Sequence, residues 1–296
     1  MKVRSNMSTE IYYFSGTGNS LFVAKELQKR IPEAKLIPIV SLLNQDTIKT
    51  QAEKVGIIFP LQGPTYPIAV KMFLEKIDLE SADYIFAIAT RGGTSCRIKE
   101  EINKILKKKG KTLNSHFIIT MFNNDPKHRN DNKEYSFRIP SNEEIIDKKA
   151  VVRARIDDIQ AIIENREESH KKDTECLYKY GFILEQIILL AIKSQESKSI
   201  KNYFYTDSKC IGCGLCDKIC LSSRIKMKEG KPQWDENTLC YMCYACINFC
   251  PVKSIQINSK WYMKSYTATE GRYSHPFCSA KDIQDQKSDE LESEFG

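Results

Sequence analysis

The sequence predicts an α/β protein: an open parallel sheet wound by helices on both faces, followed by a small α+β module built around cysteines. Three observations predict it. Five short apolar runs alternate with helical patterns up to residue 168, and strands that lack polar alternation belong to a parallel sheet buried on both faces. The first run opens into a polar glycine turn, Ser15-Gly-Thr-Gly-Asn-Ser20, and then into a helix. Residues 210–251 hold eight cysteines in two copies of one spacing.

At 296 residues the chain has room for about two domains. Its 41% hydrophobic and 28% charged content excludes a disordered chain and a membrane-embedded one. No apolar stretch follows the basic residues at the start, so no signal peptide is expected. The longest apolar run, residues 182–192, is interrupted by Glu185 and Gln186 and is too short to span a bilayer. Together these point to the cytoplasm, where thiols stay reduced.

In order, residues 11–14 are the first strand, and the turn of residues 15–20 leads into the first helix. Glycines let the backbone approach a phosphate, hydroxyls and N–H groups donate to it, and the helix dipole favours its charge. No lysine follows the last glycine and no G-x-G-x-x-G is present, which excludes the nucleoside triphosphate and dinucleotide loops. Residues 36–39, 55–59, 84–89 and 117–121 are the remaining strands. The stretch 41–53 is short and polar, so its helix is expected to be reduced. Loops 60–67 and 90–94 follow the third and fourth strands. Ligands of such sheets bind beyond the carboxyl ends of the strands, at the switch in strand order, where these loops meet the glycine turn. A long polar helix over 141–168 completes a first domain, residues 8–168. Residues 176–192 carry a wide apolar helical stripe (Leu177, Tyr180, Leu184, Ile187, Ile188, Ala191), expected to dock one domain on the other. Residues 169–200 are thus a connecting helix with a hinge at 194–199, and 201–280 form the cysteine module. Residues 281–296, with six acids against two lysines, are expected to be a mobile tail.

Cys210, Cys213, Cys216 and Cys220 follow C-x2-C-x2-C-x3-C, and Cys240, Cys243, Cys246 and Cys250 repeat it. This is the bacterial ferredoxin spacing, in which the fourth cysteine of each run ligates the other of two 4Fe–4S clusters. The expected sets are Cys210, Cys213, Cys216 and Cys250, and Cys240, Cys243, Cys246 and Cys220. Structural zinc fits poorly, because one tetrahedral ion has no need of four thiolates within eleven residues. Leu221 follows Cys220 where Pro251 follows Cys250. Cys96, Cys176 and Cys278 remain as packing residues. The formal charge of +7 hints at nucleic acid, but two clusters at about −2 each remove most of it. Neither a nucleic-acid nor a membrane partner is expected.

Through its strand count and the loop SGTGNS, the first domain resembles flavodoxin. With the cysteine module behind it, the chain resembles the fused flavodoxin–ferredoxin proteins. That resemblance implies a sheet order 2-1-3-4-5 and FMN as a cofactor beside the two 4Fe–4S clusters. It places the phosphate on Ser15, Gly16, Thr17, Gly18, Asn19 and Ser20. The flavin ring is placed between Pro60, Gly63, Thr65 and Tyr66 on one loop and Thr90, Arg91, Gly92 and Gly93 on the other. Tyr66, then Phe122, are the candidates to stack on the ring, and Arg91 beside it would raise the flavin potential. Residues 272–276, Arg-Tyr-Ser-His-Pro, resemble a basic-aromatic segment near the end of these fusions, with His275 structural. Trp261, Tyr262 and Tyr266 are expected to pack on the cysteine module or the flavin.

No acid/base pair or nucleophile constellation is visible, so the chemistry belongs to the cofactors. The implied function is electron transfer between FMN, the clusters and external redox proteins, either from one chain or across a homodimer. The alternatives are a flavin-dependent reductase of a small molecule, such as a quinone or nitro compound, and a redox or iron sensor.

Overall fold

The computed structural model describes residues 8–124, 140–171, 173, 175–176, 181–196, 203–258 and 272–288. In chain order it starts with β1 (Thr9–Tyr13), α1 (Asn19–Arg30), β2 (Lys35–Pro38) and a short α2 (Ile39–Leu42). Then come β3 (Ile48–Lys49), β4 (Lys54–Pro60), α3 (Ile68–Lys76), β5 (Ile77–Asp78) and β6 (Tyr84–Arg91). The first domain ends with α4 (Ile98–Leu106), β7 (Ser115–Thr120) and α5 (Asn142–Glu164). The five long strands form one parallel sheet in the order β2-β1-β4-β6-β7. Leaving aside the two-residue pair β3 and β5, this is the flavodoxin-like order 2-1-3-4-5 that the sequence predicts. The four-residue α2 is the reduced helix expected between the second and third long strands.

Every residue of β6 is buried, as in a strand covered on both faces. One face packs under α3 and α4 through Phe73, Leu74, Ile98 and Ile102. The other packs under α1 and α5 through Leu21, Leu27, Ile156 and Ile159. Gly56 is required in β4, since a Cβ there would lie 2.2 Å from the Phe86 ring. A capping box between Ser141 and Glu144 starts α5. Between α1 and α5 the Glu26 carboxylate is only 4% exposed. Burial alone would raise its pKa, but hydrogen bonds from Arg153, Lys29 and Arg30 outweigh it and hold it at about 2.

Beyond the sheet lie α6 (Phe182–Glu196), β8 (Phe204–Thr206), α7 (Leu215–Lys218), β9 (Ile225–Lys228) and β10 (Lys231–Trp234). They are followed by α8 (Ala245–Asn248), β11 (Ile255–Ile257) and α9 (Ala280–Gln284). β9 and β10 form a hairpin, and β8 pairs antiparallel with β11. This is the small α+β module, yet its core is continuous with the sheet domain. Ile219, Leu221 and Ala245 share one apolar cluster with Phe14, Phe59 and Tyr66.

Three expectations about the connecting and terminal segments are corrected. The α6 helix is not a buried docking element: Phe182, Ile183, Leu184, Ile187 and Leu190 are exposed, while Glu185 and Leu189 are buried. Its contact is a narrow i,i+4 stripe, tied by an ion pair of 3.1 Å from Arg97 to Glu185. Ser194 is helical rather than part of a hinge, and residues 197–199 lie outside the described residues, as do Leu177, Tyr180, Trp261, Tyr262 and Tyr266. The stretch 281–288 is not a free tail. It carries α9 with its own capping box, and Ile283 and Gln286 within it are fully buried against the sheet domain. Residues 289–296 lie outside the described residues. No helix among the described residues is long and apolar enough to cross a membrane.

Candidate iron–sulfur sites and the covered glycine loop

The two cysteine runs have matching backbones. In the first, Gly212 and Gly214 take positive φ; in the second, Met242 and Tyr244 take it at the same places. Ser223 and Lys253, each three residues after a fourth cysteine, also match. Left-handed backbone is strained for a side chain such as Met or Tyr and persists where the surroundings hold it. Each run then enters one helical turn, α7 or α8, which carries its third cysteine. The turn after the fourth cysteine is the same in both copies: Ser223 N–H donates to Cys220 O (2.9 Å) and Lys253 N–H to Cys250 O (3.1 Å). Leu221 therefore makes the turn that Pro251 makes.

Cys210, Cys213, Cys216 and Cys250 line one cavity, with Gly212 and Ile255 in its wall. The other four also lie together. After burial, the largest effects of other thiols on Cys243 come from Cys240 and Cys220, and those on Cys246 from Cys243, Cys220 and Cys240. The cavity takes its fourth cysteine from the second run, and its donor set has the residue types for a four-thiolate site. Burial pushes the Cys216 thiol up to about 11 and the Cys243 thiol up to about 12, and raises those of Cys240 and Cys246. Such thiols keep their protons unless metal displaces them, so iron binding here releases protons. Backbone N–H groups already point at sulfur: Met242 at Cys240 Sγ (3.4 Å) and Ser254 at Cys250 Sγ (3.2 Å).

The glycine loop has the residue types for a phosphate, but its surroundings do not fit a bound FMN. Ser15, Thr17, Asn19 and Ser20 are 1–6% exposed, and Gly16 and Gly18 are buried with them. A Cβ on Gly16 would lie 2.0 Å from the Cys243 carbonyl oxygen, and one on Gly18 would lie 2.6 Å from Cys278 Cβ. Gln286 brackets Ser15, accepting from its N–H (3.0 Å) and donating to its carbonyl (2.8 Å). His275 N–H donates to Thr17 O (2.8 Å), and the Cys278 thiol donates to Gly18 O (3.3 Å). The side chains have intramolecular partners too: Asn124 Nδ2 donates to Thr17 Oγ1, Gly18 N–H donates to Ser15 Oγ (3.1 Å), and Ser20 Oγ and Thr90 Oγ1 lie 2.8 Å apart. Asn19 Nδ2 donates to Phe122 O (3.0 Å).

The two loops assigned to the ring are likewise committed elsewhere. Tyr66 is buried, edge-on to Phe59, with its hydroxyl donating to Glu101 O. Thr65 is buried in a tight turn with Gln62. The Arg91 side chain is fully buried and forms a two-pronged ion pair with Asp173 while donating to Thr94 O (2.8 Å). Its charge is neutralised there, so it does not face a ring. Phe122 meets Tyr273 edge-on. Pro60 ends β4, and Gly63 and Gly92 are exposed. Gly93 is buried with a positive φ of 142°. Loop position points to Tyr66, Thr65 and Arg91 but does not fix which way a side chain turns.

Residues 272–288 tie the cysteine module to the sheet, a role the sequence did not disclose. The buried Arg272 guanidinium donates to Ile247 O (2.8 Å), Lys253 O (2.7 Å) and Ile255 O (2.6 Å). Tyr273 N–H donates to Asn248 Oδ1 (3.1 Å). His275 stacks on Phe22 of α1 with ring centroids 4.4 Å apart. The basic-aromatic run from 272 to 276 was the signal that could have found this strap.

His275 gives the strap a pH dependence. Burial lowers its pKa from 6.5 to about 4, helped by Lys149. Between these values the unfolded chain binds more protons than the folded one, so stability rises with pH across that window. Unfolding in denaturant should show roughly 3 kcal/mol lost as pH falls from 6.5 to 4, with His275→Phe removing that part of the slope. An unchanged slope in the variant would assign the acid sensitivity to other groups, beginning with His116, whose pKa burial also lowers to about 4.

Residues 209–255 match the family of 4Fe–4S dicluster domains. The chain therefore carries a 4Fe–4S domain behind a sheet domain of flavodoxin-like order. No curated protein matches the chain. Among solved structures, it is similar to a flavodoxin from the domain Archaea at 14% identity, over 53% of this chain and 99% of that one, with a TM-score of 0.35. The two-electron reduced flavodoxin of Megasphaera elsdenii is 17% identical over 40% of this chain and 90% of that one, TM-score 0.30. Rubredoxin oxygen:oxidoreductase of Desulfovibrio gigas is 14% identical over 54% of this chain and 37% of that one, TM-score 0.35. At these scores the likenesses add nothing to the fold, which stands on strand order and register.

Proposed function

We propose that a chain joining a flavodoxin-like sheet to a 4Fe–4S domain in this way is an electron carrier, holding two 4Fe–4S clusters and serving external redox proteins. The observation that carries the proposal is the gathering of Cys210, Cys213, Cys216 and Cys250 around one cavity, beside a second group of four. When bound, each cluster supplies a one-electron redox centre. The chain's own part is to set access and charge. The outer cysteine loop faces solvent, with Cys213 exposed and Ile211 66% exposed, which makes it the side a partner protein can reach. The inner loop lies against the sheet, with Cys240, Cys243 and Cys246 half-buried. N–H groups aimed at Cys240 and Cys250 and the Arg272 guanidinium favour the more negative, reduced state.

The fuller reading adds FMN on the glycine loop, exchanging electrons with the clusters. The residue types of 15–20 support it, and the cover over them opposes it. The carrier role needs only the clusters. A reductase acting at a flavin needs an open crevice, and nothing in the packing of residues 60–66 or 90–93 favours that reading.

Electron delivery tests the proposal. Anaerobically reconstituted protein, reduced with dithionite and freed of excess reductant, should pass about two electrons per chain to a small acceptor protein such as cytochrome c. Turnover of quinones or nitro compounds with a nicotinamide donor, without delivery to a protein, would replace the carrier with an enzyme.

A further inference from the structure

In a doubly wound sheet, the crevice at the carboxyl edge, where strand order switches, is where a mobile ligand sits. Here part of the chain itself lies in that place. Gly16, in the loop after β1, lies against the Cys243 backbone. Beyond β4, Gln62 Nε2 donates to both Tyr241 O and Met242 O, each at 2.9 Å. Phe14 meets the Tyr241 ring edge-on at 6.2 Å. The second cysteine loop is therefore clamped between the first and third of the long strands' loops. From the other side the strap lies across the helix start, with Gln286 fully buried on Ser15, and His275 and Cys278 packed on Gly18.

We propose that the ligand seat of this sheet belongs to the chain's own second cysteine loop and its strap, so that the folded protein holds no FMN on residues 15–20. The glycines are then explained without a phosphate. Gly16 is needed because any side chain would strike the Cys243 carbonyl. Gly18, with φ of 99°, is needed both for that backbone and for the close approach of Cys278 and His275. The loop meets its cover through backbone groups: the N–H and carbonyl of Ser15 pair with Gln286, and the carbonyls of Thr17 and Gly18 accept from His275 N–H and the Cys278 thiol. The inference extends the carrier reading, and rests on it only in taking residues 240–246 as cluster ligands.

The test uses the full chain, purified anaerobically, with iron, sulfide and flavin measured on one sample. The expected result is iron without flavin, and no quenching of FMN fluorescence when FMN is added. Hydrogen exchange followed by mass spectrometry then reads the seat directly. Gly16→Ala drives a methyl group into a backbone carbonyl, and Gln286→Ala removes both bonds to Ser15. Each should speed exchange about tenfold or more in residues 240–246 and 272–288 together. Gln286→Ala is the gentler variant and reports on the strap if Gly16→Ala does not fold. One FMN per chain in iron-loaded wild type would overturn the inference while leaving the carrier reading intact. Unchanged exchange in Gln286→Ala would overturn it whatever the iron content, whereas absence of iron bears on the carrier reading alone.

Discussion

Replacing Cys250 with serine should empty the outer cluster site and spare the inner one. By position in sequence, Cys250 belongs with Cys240, Cys243 and Cys246; by position in space, it lines the cavity of Cys210, Cys213 and Cys216. Iron in anaerobically reconstituted Cys250→Ser should therefore fall from about eight to about four atoms per chain. The remaining cluster should be the one lost in a parallel Cys243→Ser variant. The two variants can be told apart by hydrogen exchange at the sheet edge. Cys243→Ser disturbs the loop against Gly16 and Gln62, whereas Cys250→Ser leaves that contact alone. If Cys250→Ser and Cys243→Ser lost the same cluster, the crossed ligation would be wrong.

Arg272→Ala should cost about 4 kcal/mol in denaturant unfolding of the full chain. Its guanidinium serves three backbone carbonyls at the end of α8, the turn after Cys250, and β11. A hydrogen bond from a charged donor is worth about 1.5–3 kcal/mol, and each buried carbonyl left without a donor adds its own desolvation cost. The same variant removes a positive charge felt by Cys250 and Cys246. The midpoint potential of the clusters should fall, since the reduced state gains least from what remains. Arg272→Lys separates the two effects: it restores the charge, and with it most of the potential, while a single ammonium cannot span three carbonyls. A potential unchanged in Arg272→Ala would reduce the residue to a purely structural clamp.

The sheet was legible because its strands are continuous apolar runs. β4 and β6 are buried along nearly their whole length, and only a parallel sheet with helices on both faces asks for such runs. The cysteine module was legible because thiolate spacing is dictated by the geometry of the cube. What was not legible depends on contacts between distant parts of the chain. Gln286 reaches Ser15 across 271 positions and is an unremarked glutamine in an acidic stretch. Gln62 likewise gives no local sign that it holds two carbonyls of the second cysteine loop. The glycine loop is legible only as residue types, whereas its cover is held by the loop's backbone groups and by the room that Gly16 and Gly18 leave. Arg91 shows the same limit: on a ligand-edge loop it looked available, but Asp173 neutralises it. The apolar stripe of α6 misled for another reason. Its hydrophobicity is real, yet Phe182, Ile183 and Ile187 face outward, and periodicity alone does not say which stripe finds the core.

Metal content with electron paramagnetic resonance, on wild-type protein reconstituted and handled under argon, tests the central claim most directly. Two four-thiolate sites, each taking its fourth ligand from the other run, predict about eight irons and eight sulfides per chain, and two interacting low-temperature signals after dithionite reduction. Zinc at about two per chain, with no signal and no visible absorbance to bleach, would contradict it.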